Sequence, residues 1–345
     1  MLKYNYTING RFLTQNITGV QRCAHEMVRD LDILADKDDI EILVPKSTKL
    51  PHEYHNICVV RFGHLSGVLW EQISYPIYLI LHRRKGLNFC SSPIIRPDYA
   101  YIHDVLFQKN PAWCTRKYYI YTSLLFNHII HHAKKIFTVS YFSKQEIQDY
   151  YGRQNKELHV IGNAWQHMER INEDPLFFLR HPEILKGEYI FSLSSLAPYK
   201  NYRWIHENAR LHPNQQYVIA GSINPTLFGT SNDKLKQLSN IIYIGYVTDE
   251  EAKTLIVHAK AFLFPSFYEG FGIPPLEALS CGIPIIISDI PCFREVFGNA
   301  AHYIDPLIPN VDLNELLGQK IDAANSVLEK YSWTLSAKKL YTELE

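Results

Sequence analysis

The chemistry of this chain is concentrated in one stretch, Phe264-Pro265-Ser266-Phe267-Tyr268-Glu269-Gly270-Phe271-Gly272-Ile273-Pro274-Pro275-Leu276-Glu277-Ala278-Leu279-Ser280-Cys281-Gly282. An apolar run ends at Phe264, and a loop with two glycines follows, able to bring backbone N–H groups close to a ligand. Pro274 and Pro275 suit a helix first turn, where a missing N–H costs nothing. Glu277 is expected in that turn, and Gly282 ends the helix. Open α/β sheets bind ligands at such strand-loop-helix crossings. Loop amides and a helix start favour an anion such as a diphosphate. Glu269 and Glu277 cannot bind phosphate, but they accept hydrogen bonds from sugar and ribose hydroxyls. These residues alone leave an anion and hydroxyl site balanced against an ordinary βα turn. Gly270-Phe271-Gly272 lacks the third glycine of a dinucleotide fingerprint, so a NAD-dependent dehydrogenase is a distant alternative.

The elements that would position this stretch form two series. In the first, strand-like segments are Tyr4–Asn9, Glu41–Val44, Ile57–Phe62, Leu87–Cys90, Tyr99–Ile102, Lys135–Val139 and Glu157–Ile161. Helical patterns cover Gly19–Leu34, Leu69–Leu81 (bent near Pro76) and Ser143–Tyr151. In the second, strands are expected at Tyr189–Leu193, Gln216–Ala220, Ile241–Val247, Ala261–Phe264 and Pro284–Ile287. A helix is expected over Asn201–Leu211, and another opens on Thr248-Asp249-Glu250-Glu251, which has capping-box form. Alternation of this kind argues for parallel sheets covered on both faces. The expected domains are 1–170, joined by a C-terminal helix at 331–345, and 171–330, with the boundary between Gly162 and Gly187.

Composition narrows the partners. The 345 residues hold 35 Lys+Arg and 35 Asp+Glu, without the basic excess of a nucleic-acid binder. Six cysteines without a C-x-x-C pair read as reduced thiols. The start lacks a signal-peptide stretch, and no run of about 18 apolar residues occurs. A cytoplasmic protein is expected. Asp30-Leu31-Asp32 reads as a solvated helix edge and not a metal motif. His128, His131 and His132 read as a polar helix face. His82-Arg83-Arg84-Lys85 reads first as a solvated helix end, with peripheral contact to anionic lipid as the alternative.

The spacing Glu269-x7-Glu277, within E-G-F-G-I-P-P-L-E-A-L-S-C-G-I-P, resembles the E-x7-E signature of the retaining GT-B glycosyltransferases of family 4. Asn9-Gly10-Arg11 with Thr18-Gly19-Val20-Gln21-Arg22 resembles the N-terminal loop and first helix of bacterial surface-polysaccharide members. Leu69-Trp70-Glu71-Gln72, His103-Asp104, Val139-Ser140-Tyr141-Phe142-Ser143-Lys144 and Pro198-Tyr199-Lys200-Asn201 match in order. The resemblance spans nearly the whole chain.

It implies a GT-B fold: two Rossmann-like doubly wound domains, an interdomain cleft, and a last helix, after Tyr331-Ser332-Trp333, crossing back to the first domain. It implies a nucleoside-diphosphate sugar donor, a glycan acceptor and no metal. Glu277 would hold the ribose hydroxyls, and Glu269 with Gly270, Phe271, Gly272 and Ile273 the transferred sugar. Lys200 would meet the diphosphate, Gly19 would let backbone approach the phosphates, and His103 would lie near the reacting centre. Many members carry an arginine shortly before the lysine; here those positions are Ser195 and Tyr199, so Arg203 is a candidate to contribute. Retention in this family is explained by front-face attack, the leaving phosphate accepting the acceptor's proton. Mannose or rhamnose is favoured, in O-antigen or capsule assembly. The alternatives are a UDP-hexose donor and a non-catalytic nucleotide-sugar-binding subunit. A lipid-linked acceptor is analogy alone, and the sequence is silent on oligomeric state.

Overall fold

A computed structural model describes residues 5–37, 39–152, 157–221 and 238–344. These fall into two compact units. One comprises the described residues within 1–105, 120–163 and 332–345; the other comprises those within 106–119 and 164–331. Residues 106–119 and 164–170, expected in the first domain, thus cluster with the second unit.

The first unit is built on a seven-stranded sheet ordered β3-β2-β1-β4-β5-β6-β7. Its strands are β1 (Tyr6–Asn9), β2 (Ile40–Val44), β3 (Cys58–Arg61), β4 (Lys85–Asn88), β5 (Tyr99–Tyr101), β6 (Lys135–Thr138) and β7 (Leu158–Val160). The second holds a six-stranded sheet ordered β10-β9-β8-β11-β12-β13. These strands are β8 (Tyr189–Leu193), β9 (Gln216–Ala220), β10 (Ile241–Gly245), β11 (Ala261–Phe264), β12 (Ile285–Ser288) and β13 (His302–Ile304). Every pairing is parallel. Ala261–Phe264 is buried along its whole length, which is why it reads as a continuous apolar run, and Ile40–Val44 is buried as fully with Glu41 inside it. In both units the chain order reverses beside the first strand, at β1/β4 and at β8/β11. Doubly wound sheets open their ligand crevice at such switch points.

Helix chemistry follows the sequence in several places. Thr248 and Glu251 form the capping box reciprocally, and Ser140 caps the helix Tyr141–Tyr151. The run before Pro76 contains a π turn, Trp70–Ser74, and the regular helix resumes at Tyr75–Leu81 with Pro76 in its first turn. The wider turn absorbs the missing proline N–H without a break. The helix Trp333–Leu344 packs on Gly19–Leu34, with Thr334 Oγ1 donating to Asp30 (2.7 Å) and Tyr341 OH donating to Asp39 (2.7 Å).

Three sequence readings are corrected. Asp30 and Asp32 are not a solvated edge: both are buried, and Asp32 accepts from the backbone N–H groups of His55, Asn56 and Ile57 at 2.8–3.1 Å. Arg84 is not part of a solvated end; it turns inward, 3.5 Å from the buried Glu41. The strand His302–Ile304 lies outside the expected set. It is three residues long and opens on a histidine, and its place comes from pairing with β12.

Candidate active site

The Pro198–Lys200 turn follows β8, and the Glu269 loop follows the neighbouring strand β11. Two bonds clamp them together. The Phe267 N–H donates to the Tyr199 carbonyl at 2.8 Å, and Asn201 Nδ2 donates to the Pro265 carbonyl at 3.0 Å. Asn201 also donates to Pro306 O at 2.8 Å and holds a left-handed conformation, φ 57°. Asparagine is among the few side chains that tolerate that region. The motif Pro198-Tyr199-Lys200-Asn201 is therefore a positioning device as well as a source of charge.

The clamp brings Lys200 Nζ to 2.6 Å from Glu269 Oε1, with both side chains about nine-tenths buried. Burial works against the ammonium charge, but Glu269, Tyr199 and Tyr202 together outweigh it and hold Lys200 protonated well above the usual lysine range. Nζ also lies 4.9 Å from the Phe264 ring centre and 5.0 Å from that of Tyr199, both electron-rich faces. The lysine expected to meet a diphosphate thus meets Glu269 in this structure. An ammonium has three donors, so a diphosphate can be met beside Glu269.

The helix after the loop is Ile273–Ser280 with prolines in its first turn, as expected. Glu277 is its fifth residue, so it lies in the second turn and not the first. Pro274 and Pro275 carry no N–H, so an anion at this helix start would have only the Ile273 amide and the loop to meet. Gly272 has φ 101°, and a Cβ there would lie 2.8 Å from Phe293 Cε1, so only glycine fits. The Phe271 side chain is buried edge-on against Tyr331, ring centres 5.0 Å apart.

Glu277 Oε1 accepts from Nε2 of the buried His167 at 2.7 Å. His167 is fixed in turn by Lys253, whose Nζ donates to the carbonyls of Met168 (2.7 Å) and Ile171 (2.6 Å). No local pattern signals this histidine, 110 residues from its partner. Arg203 is exposed on the helix Tyr202–Leu211, where its charge acts on Glu207. The second unit therefore gathers Lys200, Glu269, Gly270, Phe271, Gly272, Ile273 and Glu277 at the end of β11, with Arg203 on the outside of its helix.

His103 and Gly19 belong to the first unit. His103 Nε2 lies 2.7 Å from the Phe89 carbonyl. A carbonyl only accepts, so Nε2 carries the proton and Nδ1 is the acceptor in the neutral ring. Burial lowers the His103 pKa, opposed by that bond, and keeps the ring neutral. Gly19 is the first residue of the helix Gly19–Leu34. At the switch point of this unit, Glu71 takes Arg11 Nη1 at 2.7 Å, Asn9 Nδ2 at 3.0 Å and the Ser91 hydroxyl. The matched stretches Asn9-Gly10-Arg11 and Leu69-Trp70-Glu71-Gln72 meet there.

Among the described residues one cluster has metal-ligand geometry, Glu157, His159 and Glu343. Lys135 sits within it, 3.3 Å from Glu343, so it reads as an ion-pair network.

Two parallel doubly wound sheets, with a loop and helix after β11 carrying paired carboxylates, define the GT-B glycosyltransferase architecture. Among solved structures, the chain resembles the sucrose-phosphate synthase of Thermosynechococcus elongatus (TM-score 0.74, 12% identity, 99% of each chain). It also resembles Anabaena HepE in complex with UDP and glucose (TM-score 0.70, 14% identity, 100% of this chain and 99% of that one). These likenesses establish the fold. Residues 177–312 match the family Glycosyl transferases group 1, so the second unit carries a glycosyltransferase group 1 domain. The chain is 26% identical over 318 residues to the O-antigen chain mannosyltransferase B of Escherichia coli, covering 84% of each. It is 28% identical over 256 residues to the O-antigen chain mannosyltransferase RfbU of Salmonella typhimurium, covering 71% of this chain and 69% of that one.

Proposed function

We propose that the chain is a hexosyltransferase of polysaccharide assembly that moves mannose from a nucleoside-diphosphate donor to a growing glycan with retention of configuration. The observation that carries this reading is the clamped Lys200–Glu269 pair, with Glu277 on the helix that follows the same loop: a buried cation for a leaving diphosphate, and two carboxylates for hydroxyls. Its sequence relatives, named as O-antigen mannosyltransferases, favour mannose over rhamnose or a UDP-hexose. The acceptor in this reading is a lipid-linked glycan.

As the glycosidic bond breaks, negative charge grows on the diphosphate. Lys200 and the Gly270–Ile273 backbone offset it electrostatically, in a site where Lys200 is already charged. Glu269 shifts from its ammonium partner toward sugar hydroxyls. Glu277, held by His167, accepts from the ribose. His103, with Nδ1 as acceptor, is assigned to the sugar and Gly19 to the phosphates. No metal takes part in this reading, and activity should survive EDTA; strict dependence on Mn²⁺ or Mg²⁺, restored by adding it back, would refute that point.

The deciding experiment is a thermal-shift panel of GDP-mannose, dTDP-rhamnose and UDP-hexoses, followed by hydrolysis of the donor that stabilises most. Stabilisation and turnover of GDP-mannose are expected. Binding without turnover, even with acceptor glycans, would leave a nucleotide-sugar-binding subunit. Preference for another donor would overturn the mannose assignment.

A further inference from the structure

We infer that the first unit docks on an anionic lipid bilayer through one exposed aliphatic face. The face starts on the helical run of residues 67–81. Its inner side is conventional: Trp70, Tyr75, Tyr78 and Leu79 are buried with Leu43. Its outer side is apolar as well, with Leu69, Ile73, Ile77 and Ile80 between 44% and 61% exposed, and Leu81 at 69%. The spacing of Leu69, Ile73, Ile77 and Ile80 puts them on one helix face. A helix that is apolar all round belongs in an apolar environment on all sides.

The face continues onto two neighbours. Gln72 accepts from the Ile94 N–H at 2.9 Å, and the Ile94 carbonyl accepts from His128 Nε2 at 2.9 Å. Ile94, 48% exposed, is thereby bonded both to the 67–81 run and to the helix Arg116–His132, and its neighbour Ile95 is 56% exposed. Leu124, one turn before His128, is 68% exposed. A continuous apolar surface of this kind marks a protein or membrane contact.

Charge selects the bilayer. The chain has 35 acidic residues, yet Glu71 is the sole one within 65–97, and 120–145 contains none. Glu71 is buried beneath Arg11. The exposed charge at the rim is cationic, with Arg83 exposed and Lys134 at 51%. Aliphatic side chains with a cationic rim and no exposed acid in these stretches suit insertion among anionic headgroups. Protein interfaces are instead enriched in aromatic residues, Met and Arg. Among the described residues no helix is long and apolar enough to cross a membrane, so attachment lies in the interfacial plane.

The test is co-sedimentation of the full chain with phosphatidylglycerol vesicles and with phosphatidylcholine vesicles, alongside the double variant Ile77→Glu/Leu124→Glu. Both positions are exposed, so the variant should keep its melting temperature and its donor-induced stabilisation. The expected result is at least tenfold stronger partition to anionic vesicles, weakened by 0.5 M salt and lost in the variant. Light scattering supplies the rival outcome. Equal partition of variant and wild type, absence of binding to anionic vesicles, or a concentration-dependent dimer abolished by the same substitutions would each overturn the inference. A failed donor assignment would leave these results unchanged.

Discussion

Each unit places a buried cation–carboxylate pair at the switch point of its sheet, and the two pairs are built differently. In the first unit Glu71 is saturated: Arg11, Asn9 and Ser91 all donate to it, and Asn9 also reaches Asn88 on the neighbouring strand β4. In the second, Glu269 is the hydrogen-bond partner of Lys200 among the described residues, and the lysine's other close neighbours are aromatic faces. A carboxylate whose lone pairs are taken holds structure together. A pair with donors and acceptors to spare is prepared for a ligand. Position in the fold is shared, and saturation separates the first pair from the one proposed to meet the donor.

The largest effect should come from breaking the saturated pair. Glu71→Ala strands Arg11 and frees Asn9 and Ser91, so unfolding free energy should fall by about 3–5 kcal/mol. The stabilisation conferred by added nucleotide should persist, measured as a melting-temperature shift. A variant of wild-type stability that loses the nucleotide response would erase the contrast. Next comes Lys200→Ala, which removes a charge-assisted contact of about 1.5–3 kcal/mol. The expected loss is roughly ten- to more than a hundredfold in kcat/KM. An unchanged value would pass the role to the backbone, since Arg203 faces outward.

The two glutamates sharpen the comparison within the site. Glu277→Gln should weaken binding of the free nucleoside diphosphate, by about 1–3 kcal/mol, because its carboxylate is pre-aimed by His167. Glu269→Gln should leave that affinity near wild type and lower kcat with the full donor. Calorimetry with nucleoside diphosphate, set beside transfer kinetics, decides; matching or reversed patterns would sink the assignment.

The smallest effect concerns His103. Its pKa is lowered in the folded state. Above about pH 6.5 the ring is neutral folded or unfolded. Below that the unfolded chain takes a proton the folded one resists, so stability declines as pH falls toward the folded value. His103→Asn should flatten this slope in denaturation curves between about pH 5 and 7, keep nucleotide affinity and slow transfer. An unchanged slope would remove the buried, neutral ring from the account.

Much of this is legible because local chemistry and tertiary position agree. Tyr189–Leu193, Gln216–Ala220 and Ala261–Phe264 are strands over the residues expected, since buried parallel strands are mostly apolar runs with sharp ends. Gly272 carries its own signature, and so does the Thr248 capping box. What stays hidden depends on residues far apart in the chain. Asp32 reads as solvated because nothing nearby announces the His55–Ile57 amides it accepts. Arg84 sits in a basic run whose neighbours are exposed, and only Glu41, two strands away in sequence, draws it inward. Glu277 lies one turn later than expected because the helix start at Ile273 is set by Gly272 and not by the prolines. The partners of Lys200 and Glu277 lie 69 and 110 residues away, beyond any spacing rule.

The helix Trp333–Leu344 has a consequence for how the molecule is made. It belongs to the first unit, where Trp333 is buried and Ser336 Oγ donates to the Gly162 carbonyl at 2.7 Å. During synthesis the first sheet emerges early, at a rate of about 5–20 residues per second. The second unit, continuous over 164–331, must then pass before this helix exists. Until it does, the apolar side of Gly19–Leu34 that it covers stays exposed, and the first unit waits unfinished for on the order of ten seconds or more after its strands appear. The unit encoded first is completed last.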